Sequence, residues 1–348
     1  MGADSEGGSL SAEALRAVED RWIGEAVALQ ETIGLSVITD GEYRRGICFG
    51  HFPAAVSGFT DMEAPLTFTD EHGRAMRYTM PVVTGRLTRQ RGIATEEFRF
   101  VRRLTSRTVK VTLPSPCSQH FFRWREGVSD RAYPEAADFF ADLVRVHREE
   151  LRDLVALGAR YVQLDDVSLP LLCDARHRET FRQRGYDPAA MVGRYLAVVN
   201  DTLRGRPPAL TVGMHLCRGN NQGKWLGEGG YEAVAEQIFA GLEIDVFFLE
   251  YDTPRAGSFE PLRFMRPEAR VVLGLVTSKT AALESPAALA RRIDAAARFV
   301  PLERLALSPQ CGFASTAPGN PLTPLDQERK LRLVVDVARQ VWGVRDAP

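Results

Sequence analysis

The sequence predicts a (β/α)8 barrel, also called a TIM barrel, and three observations support this fold class. Short apolar runs alternate with amphipathic stretches of helical spacing along most of the 348 residues. Most of the runs are rich in Val, Leu, Ile and Phe without alternation, as strands covered on both faces are. Polar residues follow the runs repeatedly, and in a barrel the carboxyl ends of the strands meet at one mouth that carries the chemistry.

Seven runs are predicted to be parallel strands: LSVITDGE, RTVKVTLPSP, ARYVQLDD, PALTVGMHLC, IDVFFLEYD, ARVVLGLVTSK and ERLALSPQCG. A closed barrel needs eight, so the first strand is expected to be missing or atypical. An N-terminal strand upstream of this sequence, or a second copy in a homodimer, is expected to cover the gap. A doubly wound open sheet is the alternative, but the Gly-rich phosphate loop that normally follows its first strand is not found.

The amphipathic stretches between the runs are predicted to be crossover helices. They are SAEALRAVEDRWIGEAVALQETIG, PEAADFFADLVRVHREELRDLVALG, DPAAMVGRYLAVVNDTLRG, YEAVAEQIFAGL, SPAALARRIDAAARFV and PLDQERKLRLVVDVARQVWG. Residues 43–108 form a long excursion after the first strand, in which RYTMPVVTGRLTRQ and TEEFRFVRRL are predicted to pair as an antiparallel hairpin on the barrel rim. The whole chain, residues 1–348, is expected to be one barrel domain.

Composition excludes several classes of partner. The formal net charge is −1, so there is no basic field to attract nucleic acid or anionic lipid. No apolar run is long enough to span a bilayer, and the first ten residues lack the basic start and apolar core of a signal peptide. The five cysteines are scattered and odd in number, which indicates a reducing cytoplasm with free or metal-bound thiols.

Four residues of types that bind metals end three of the predicted strands. His215 and Cys217 stand one residue apart, so an extended chain directs both side chains to the same side. Glu250 ends the next strand and Cys311 the last, and thiolates with imidazole and a carboxylate suit Zn²⁺. His215 alone is better explained as a satisfied core histidine, and the two cysteines can be explained as small buried apolar residues, but the four residues together favour zinc. The cysteines that are not expected to bind metal are Cys48, Cys117 and Cys173.

The segments VITDGEYRR, YVQLDD, HLCRGN, FFLEYD and SPQCGFAST resemble the cobalamin-independent methionine synthase family. The resemblance runs from about residue 11 to the end and covers the catalytic C-terminal barrel and its short single-barrel relatives. It implies a (β/α)8 barrel with zinc held by His215, Cys217, Glu250 and Cys311. The implied reaction is transfer of an alkyl group, methyl being the expected one, to a thiol such as homocysteine, with a zinc-bound thiolate as the nucleophile.

The resemblance also implies substrate contacts. The family's carboxylates that contact the amino group of the thiol amino acid correspond to Glu42 and Asp165. The residues alone also allow Glu42 to cap a turn and pair with Arg44 or Arg45. Two further candidates for substrate binding are Asp166, which replaces the glutamate usual in the full-length synthases, and Asn220, for which a structural loop role is equally credible.

One departure from the family pattern concerns the alkyl donor. Lys279 is a candidate catalytic residue, together with Glu42 and Asp165, and lies at the position where full-length synthases carry a histidine that handles a proton during methyl transfer from folate. The donor is therefore expected to be a methylated folate or another small molecule. Two other functions stay open: opening of an epoxide or another C–S bond-forming or bond-breaking step on a different thiol, and a non-catalytic, zinc-stabilised binding barrel.

Overall fold

The computed structural model describes residues 11–47, 49–63, 68–69, 75–76 and 79–343. The strands in chain order are β1 (Val37–Ile38), β2 (Val56–Glu63), β3 (Phe68–Thr69), β4 (Ala75–Met76), β5 (Thr79–Arg89), β6 (Thr108–Pro114), β7 (Tyr161–Asp166), β8 (Thr211–Leu216), β9 (Val246–Glu250), β10 (Arg270–Val276) and β11 (Leu305–Pro309). The α-helices are α1 (Ala12–Ile33), α2 (His51–Ala55), α3 (Thr95–Leu104), α4 (Pro116–Arg123), α5 (Ala136–Ala156), α6 (Ser168–Leu171), α7 (Ala175–Gln183), α8 (Pro188–Leu203), α9 (Ala235–Gly241), α10 (Pro286–Ala296) and α11 (Pro324–Trp342).

A parallel sheet of seven strands forms the centre of the fold, in the order β1-β6-β7-β8-β9-β10-β11. These are the seven predicted strands, and the TIM-barrel-like fold class is confirmed. The sheet is strongly curled: in a flat sheet β8 and β11 would lie about 14 Å apart, yet side chains from their ends approach within 4.8 Å. Among the described residues β1 and β11 remain the two edge strands, and what covers the gap stays a prediction.

The crossover helices are buried along one side, as their spacing predicts. Helix α1 buries Ile23, Val27 and Ile33. Ser11 caps its start, because the Ser11 side chain accepts from a backbone N–H of the first turn. Helix α11 begins with a capping box between Thr323 and Asp326. Among the described helices, none combines the length and apolar composition that crossing a bilayer requires.

The predicted rim hairpin is partly wrong. Strand β5 is present from Thr79, but its antiparallel partner is β2, which begins directly after α2. The segment TEEFRFVRRL forms helix α3 instead, because Phe98 and Val101 follow Ala94 at helical spacing and are buried in the main core. Acidic residues in its first turn and arginines in its last also complement the helix dipole.

The inner face of the sheet is unusually polar. On β7, Tyr161, Gln163 and Asp165 alternate with Val162 and Leu164, which are fully buried against the helices. The alternation places polar side chains inside the curl and apolar ones outside it. The interior therefore offers a site at the carboxyl ends of the strands.

A buried carboxylate fastens the rim segment to the barrel. Glu150 of α5 is fully buried and accepts from the Arg89 guanidinium at 2.6 Å, from Ile93 N–H at 2.9 Å and from Ala94 N–H at 2.7 Å. The end of β5 and the start of α3 are thus tied to one side chain. Removing it would leave two backbone donors without their partner and Arg89 paired with Asp153 alone.

We predict that Glu150→Ala lowers the free energy of unfolding by about 2–5 kcal/mol, because two backbone N–H groups lose their buried acceptor, at about 1–3 kcal/mol each. Urea unfolding followed by circular dichroism measures the change. The matched control is Glu149→Ala, which removes a partly exposed carboxylate paired with Arg145 and should cost no more than about 1 kcal/mol. Equal losses in the two variants would contradict the role given to Glu150.

Candidate active site

Three side chains of types that can bind a metal meet at the mouth of the curled sheet. His215 lies near the end of β8, Cys217 just beyond it, and Cys311 two residues after β11. One donor atom from each lies within 4.8 Å of the other two. Nε2 of His215 is buried and has no hydrogen-bond partner among the described residues, so the imidazole has an unused polar atom. Two thiols and an imidazole are a donor set that fits Zn²⁺.

The two thiols differ in acidity because of their surroundings. Cys217 and then His215 hold the pKa of Cys311 well below the ordinary value for a thiol. Contact with Cys311, reinforced by burial, raises the pKa of Cys217 well above that value. Cys311 is therefore the thiol more readily deprotonated, and a thiolate is the form that binds a metal.

Glu250, the predicted fourth ligand, ends β9 and is fully buried. Its Oε2 accepts from Arg218 N–H at 2.6 Å, and its Oε1 accepts from Lys279 Nζ at 3.2 Å and from the Arg255 guanidinium. Burial raises the pKa of Glu250, but these cations, Lys279 foremost, bring it below the ordinary value. Glu250 lies outside the group of donor atoms formed by the histidine and the two cysteines.

Lys279, the predicted catalytic lysine, is buried just beyond β10. Besides Glu250, its ammonium donates to Asp252 Oδ2 at 2.9 Å. The Thr277 hydroxyl donates to the same oxygen at 2.8 Å. The lysine is thus fixed at the mouth between two carboxylates.

Asp165 lies directly opposite His215 in the pairing of β7 with β8. It is buried, and Gln163 Nε2 donates to its Oδ1 at 2.7 Å. Burial raises the pKa of Asp165, although the nearby His215 and Gln163 favour its charged form. The register of two strands therefore puts a carboxylate beside the metal donors without making it one of them.

Glu42 lies in the turn after β1 and has a left-handed backbone, with φ of +58°, which is uncommon for a residue other than glycine. Its Oε1 accepts from Arg45 at 3.0 Å and from the Thr112 hydroxyl at 2.5 Å. Burial raises the pKa of Glu42 to about 7; Arg45 opposes the rise, while Asp165 and Asp40 add to it. The pairing with Arg45, which the sequence left open, is present, and Glu42 and Asp165 are close enough to repel each other.

The two remaining predicted substrate residues have different surroundings. Both oxygens of the buried Asp166 accept from the Ser168 hydroxyl at 2.9 Å, and Oδ1 also accepts from Leu169 N–H at 2.7 Å. Asp166 thus caps the start of α6. Asn220 Nδ2 donates to the Ser278 hydroxyl at 3.3 Å, and its buried Oδ1 has no partner in the described part of the chain. Asn220 therefore has an unpartnered polar atom for a ligand, whereas both oxygens of Asp166 already accept from the protein.

The other cysteines lie away from the donor group, as far as the structure describes them. Cys117 is buried in the first turn of α4, where its thiol donates to the Tyr195 carbonyl at 3.4 Å. Cys173 is buried shortly after α6. Cys48 lies outside the described residues.

Sequence reasoning missed four charged or polar residues of this region, namely Lys110, Gln163, Asp252 and Arg255. The first two lie on strands, at spacings of two from polar residues that face the interior, so the alternation along β6 and β7 could have indicated them. Asp252 and Arg255 lie in the loop after β9, where no periodic pattern predicts which side chains turn inward.

Comparison with known sequences places the chain among the synthases. Residues 3–340 match the family model described as the catalytic domain of cobalamin-independent synthase. The uncharacterized protein YxjH of Bacillus subtilis (strain 168) is 40% identical over 337 residues, which cover 96% of this chain and 88% of that protein. The 5-methyltetrahydropteroyltriglutamate–homocysteine methyltransferase of Mycobacterium tuberculosis (strain ATCC 25618 / H37Rv) is 25% identical over 298 residues, which cover 84% of this chain and 35% of that enzyme.

The fold agrees with that comparison. A solved structure from Listeria monocytogenes, assigned as a vitamin-B12-independent methionine synthase, superposes with a TM-score of 0.72 at 30% sequence identity. The alignment covers 97% of this chain and 91% of that chain. With the family model matching nearly the whole chain and the strand ends carrying the histidine and cysteines, this chain belongs to the family of cobalamin-independent synthase catalytic domains.

Proposed function

We propose that this chain is a zinc-dependent transferase that moves an alkyl group, most simply a methyl group, to the sulfur of a thiol amino acid such as homocysteine. The observation that carries the proposal is the meeting of His215, Cys217 and Cys311 donor atoms within 4.8 Å, with Asp165 opposite the histidine. Family membership supports the reaction class. The identity of the alkyl donor, a methylated folate or another small molecule, is part of the proposal. The chain spans only 35% of the methyltransferase that it matches, so that enzyme's donor is not carried over to this chain as a finding.

His215, Cys217 and Cys311 are the residues proposed to hold zinc. When bound, zinc supplies a Lewis acid that favours the deprotonated form of a substrate thiol at neutral pH. Glu250 is proposed as a fourth or neighbouring ligand. Its oxygens now accept from Arg255 and Lys279, so ligation by Glu250 would require these bonds to exchange.

The carboxylates beside the metal donors are proposed to bind the acceptor. Asp165 and Glu42 raise each other's proton affinity in one buried region, and a substrate ammonium between them would relieve that repulsion. In the reaction, a sulfur–carbon bond forms as the bond from that carbon to the donor's leaving atom breaks, and the proton given up by the acceptor thiol ends on that leaving atom. The Lys279 ammonium donates hydrogen bonds to Glu250 and Asp252. Its proposed role in catalysis is to hold those two carboxylates in place at the mouth.

Asn220 is proposed to orient the bound ligand, because its buried Oδ1 can still accept a hydrogen bond. Asp166 stays a candidate for substrate binding through the acceptor capacity that its bonds to Ser168 and Leu169 leave. Two rival functions use the same donor set: opening of an epoxide or another C–S bond step on a different thiol, and zinc-stabilised binding without turnover. Incubation of the zinc-loaded protein with a panel of thiols and alkyl donors, followed by product mass, separates the three.

We predict that each of His215→Ala, Cys217→Ser and Cys311→Ser reduces bound zinc from one ion per chain to less than one, because each removes a donor from a three-residue set. Metal content after dialysis, measured by plasma mass spectrometry, gives the ratio. Cys117→Ser and Cys173→Ser are the matched controls and should keep a full complement of zinc. Loss of zinc in a control, or its retention in all three site variants, would refute the ligand assignment.

We predict that Asp165→Asn weakens binding of homocysteine by roughly tenfold while zinc content is unchanged, because a charge-assisted hydrogen bond to the substrate ammonium is lost. Isothermal titration calorimetry with homocysteine and with its des-amino analogue measures the effect. Only the amino acid should be affected. An equal loss with both ligands would show that Asp165 supports the pocket without contacting the ammonium, and Asp166→Asn tests the neighbouring carboxylate in the same assay.

A further inference from the structure

Lys110 of β6 is a cation inside the curled sheet that the proposed mechanism does not use. Its Nζ donates to Gln163 Oε1 at 2.6 Å and lies 4.4 Å from the centre of the Phe248 ring. Among the described residues, no carboxylate oxygen lies within 4.0 Å of this ammonium. Withdrawing a charge from water is costly unless it is paired, so its position calls for a reason.

Gln163 connects this lysine to the substrate carboxylate. It lies two residues before Asp165 on β7, so both side chains point to the same side of the strand. Its Oε1 accepts from Lys110, and its Nε2 donates to Asp165 Oδ1 at 2.7 Å. An ammonium can only donate and a carboxylate can only accept, so the two charged ends fix the orientation of the amide between them.

We propose that Lys110 is a positioning residue for Asp165 and acts on it through Gln163. The inference rests on the proposed function, in which Asp165 binds the ammonium of a thiol amino acid. Gln163 occupies Oδ1 of Asp165, and the hold of Lys110 on the far end of the amide keeps it there. The second carboxylate oxygen, Oδ2, then faces the substrate in one fixed direction.

The charge of Lys110 also suits its surroundings. Burial lowers the pKa of Lys110 to about 8, and the nearby carboxylates of Asp165 and Glu42 oppose that fall. The lysine thus adds positive charge beneath two carboxylates that repel each other. Lys110 also packs against the rings of Phe248 and Tyr161. A substitution that keeps this packing but removes the ammonium therefore distinguishes packing from the hydrogen bond to Gln163.

The test is a double-mutant cycle of Lys110→Met and Asp165→Asn in the zinc-loaded protein, with homocysteine binding measured by calorimetry. Met keeps the length and apolar packing of the side chain but donates nothing to Gln163. We expect Lys110→Met to weaken homocysteine binding by about three- to tenfold, the range of one net hydrogen bond, and by less than about twofold when Asp165→Asn is already present. Binding of the des-amino analogue should not change, and Lys110→Arg should recover most of the affinity.

The same loss in both backgrounds, or no loss at all, would overturn the inference, because Lys110 would then act independently of Asp165. A second measurement does not depend on substrate: side-chain amide proton exchange of Gln163 by NMR, with its signals identified by their absence in Gln163→Met. The exchange should be faster in Lys110→Met than in the parent protein, and unchanged exchange would also overturn the inference. Faster exchange in a protein that binds no thiol amino acid would reject the proposed function while supporting the hold of Lys110 on Gln163.

Discussion

The register between β7 and β8 is the constraint on which the rest of the site depends. It sets Asp165 opposite His215, so a carboxylate and an imidazole leave neighbouring strand ends on the same side. A slip of one residue would turn β7 or β8 over and send its polar side chain to the face where helices pack. The curl of the sheet then brings in Cys311, which follows a strand three places away and still lies within 4.8 Å of the other donors. The proposed metal donors and the proposed substrate carboxylate therefore depend on one backbone arrangement.

Charge balance is the second condition for this mouth, because several carboxylates are gathered where water is largely excluded. Each carboxylate has a cation or a polar donor as a partner, and Lys279 serves two of them. The pairings are Glu42 with Arg45, Asp165 with Gln163 (which Lys110 holds in turn), Glu250 with Arg255 and Lys279, and Asp252 with Lys279. A buried charge is tolerated when it is paired and hydrogen-bonded. The pairing keeps the carboxylates ordered, so the proposed cationic substrate group would meet fixed acceptors, and the cost of ordering them on binding would be small.

The rim segment after β1 takes part in this balance. Glu97 of α3 bonds the Arg45 guanidinium, and Arg45 in turn bonds Glu42 at the mouth. Glu150 of α5 fixes the start of the same helix by accepting from two of the backbone N–H groups that precede it. Helix α3, which stands where the second hairpin strand was expected, therefore supports the proposed substrate residue Glu42 through Arg45.

The sequence by itself determined the seven parallel strands and the polar residues that end them, because strands buried on both faces need apolar runs and their carboxyl ends carry the chemistry. It also indicated His215, Cys217 and Cys311, since these donor types follow strands of one barrel. The local pattern did not predict the observed structure of TEEFRFVRRL, which forms a helix because that conformation buries Phe98 and Val101 against the core. Only the tertiary structure decided which charges meet, including the cations around Glu250. Those contacts join residues far apart in the chain, and they depend on the curl and register of the sheet, which no short stretch of sequence encodes.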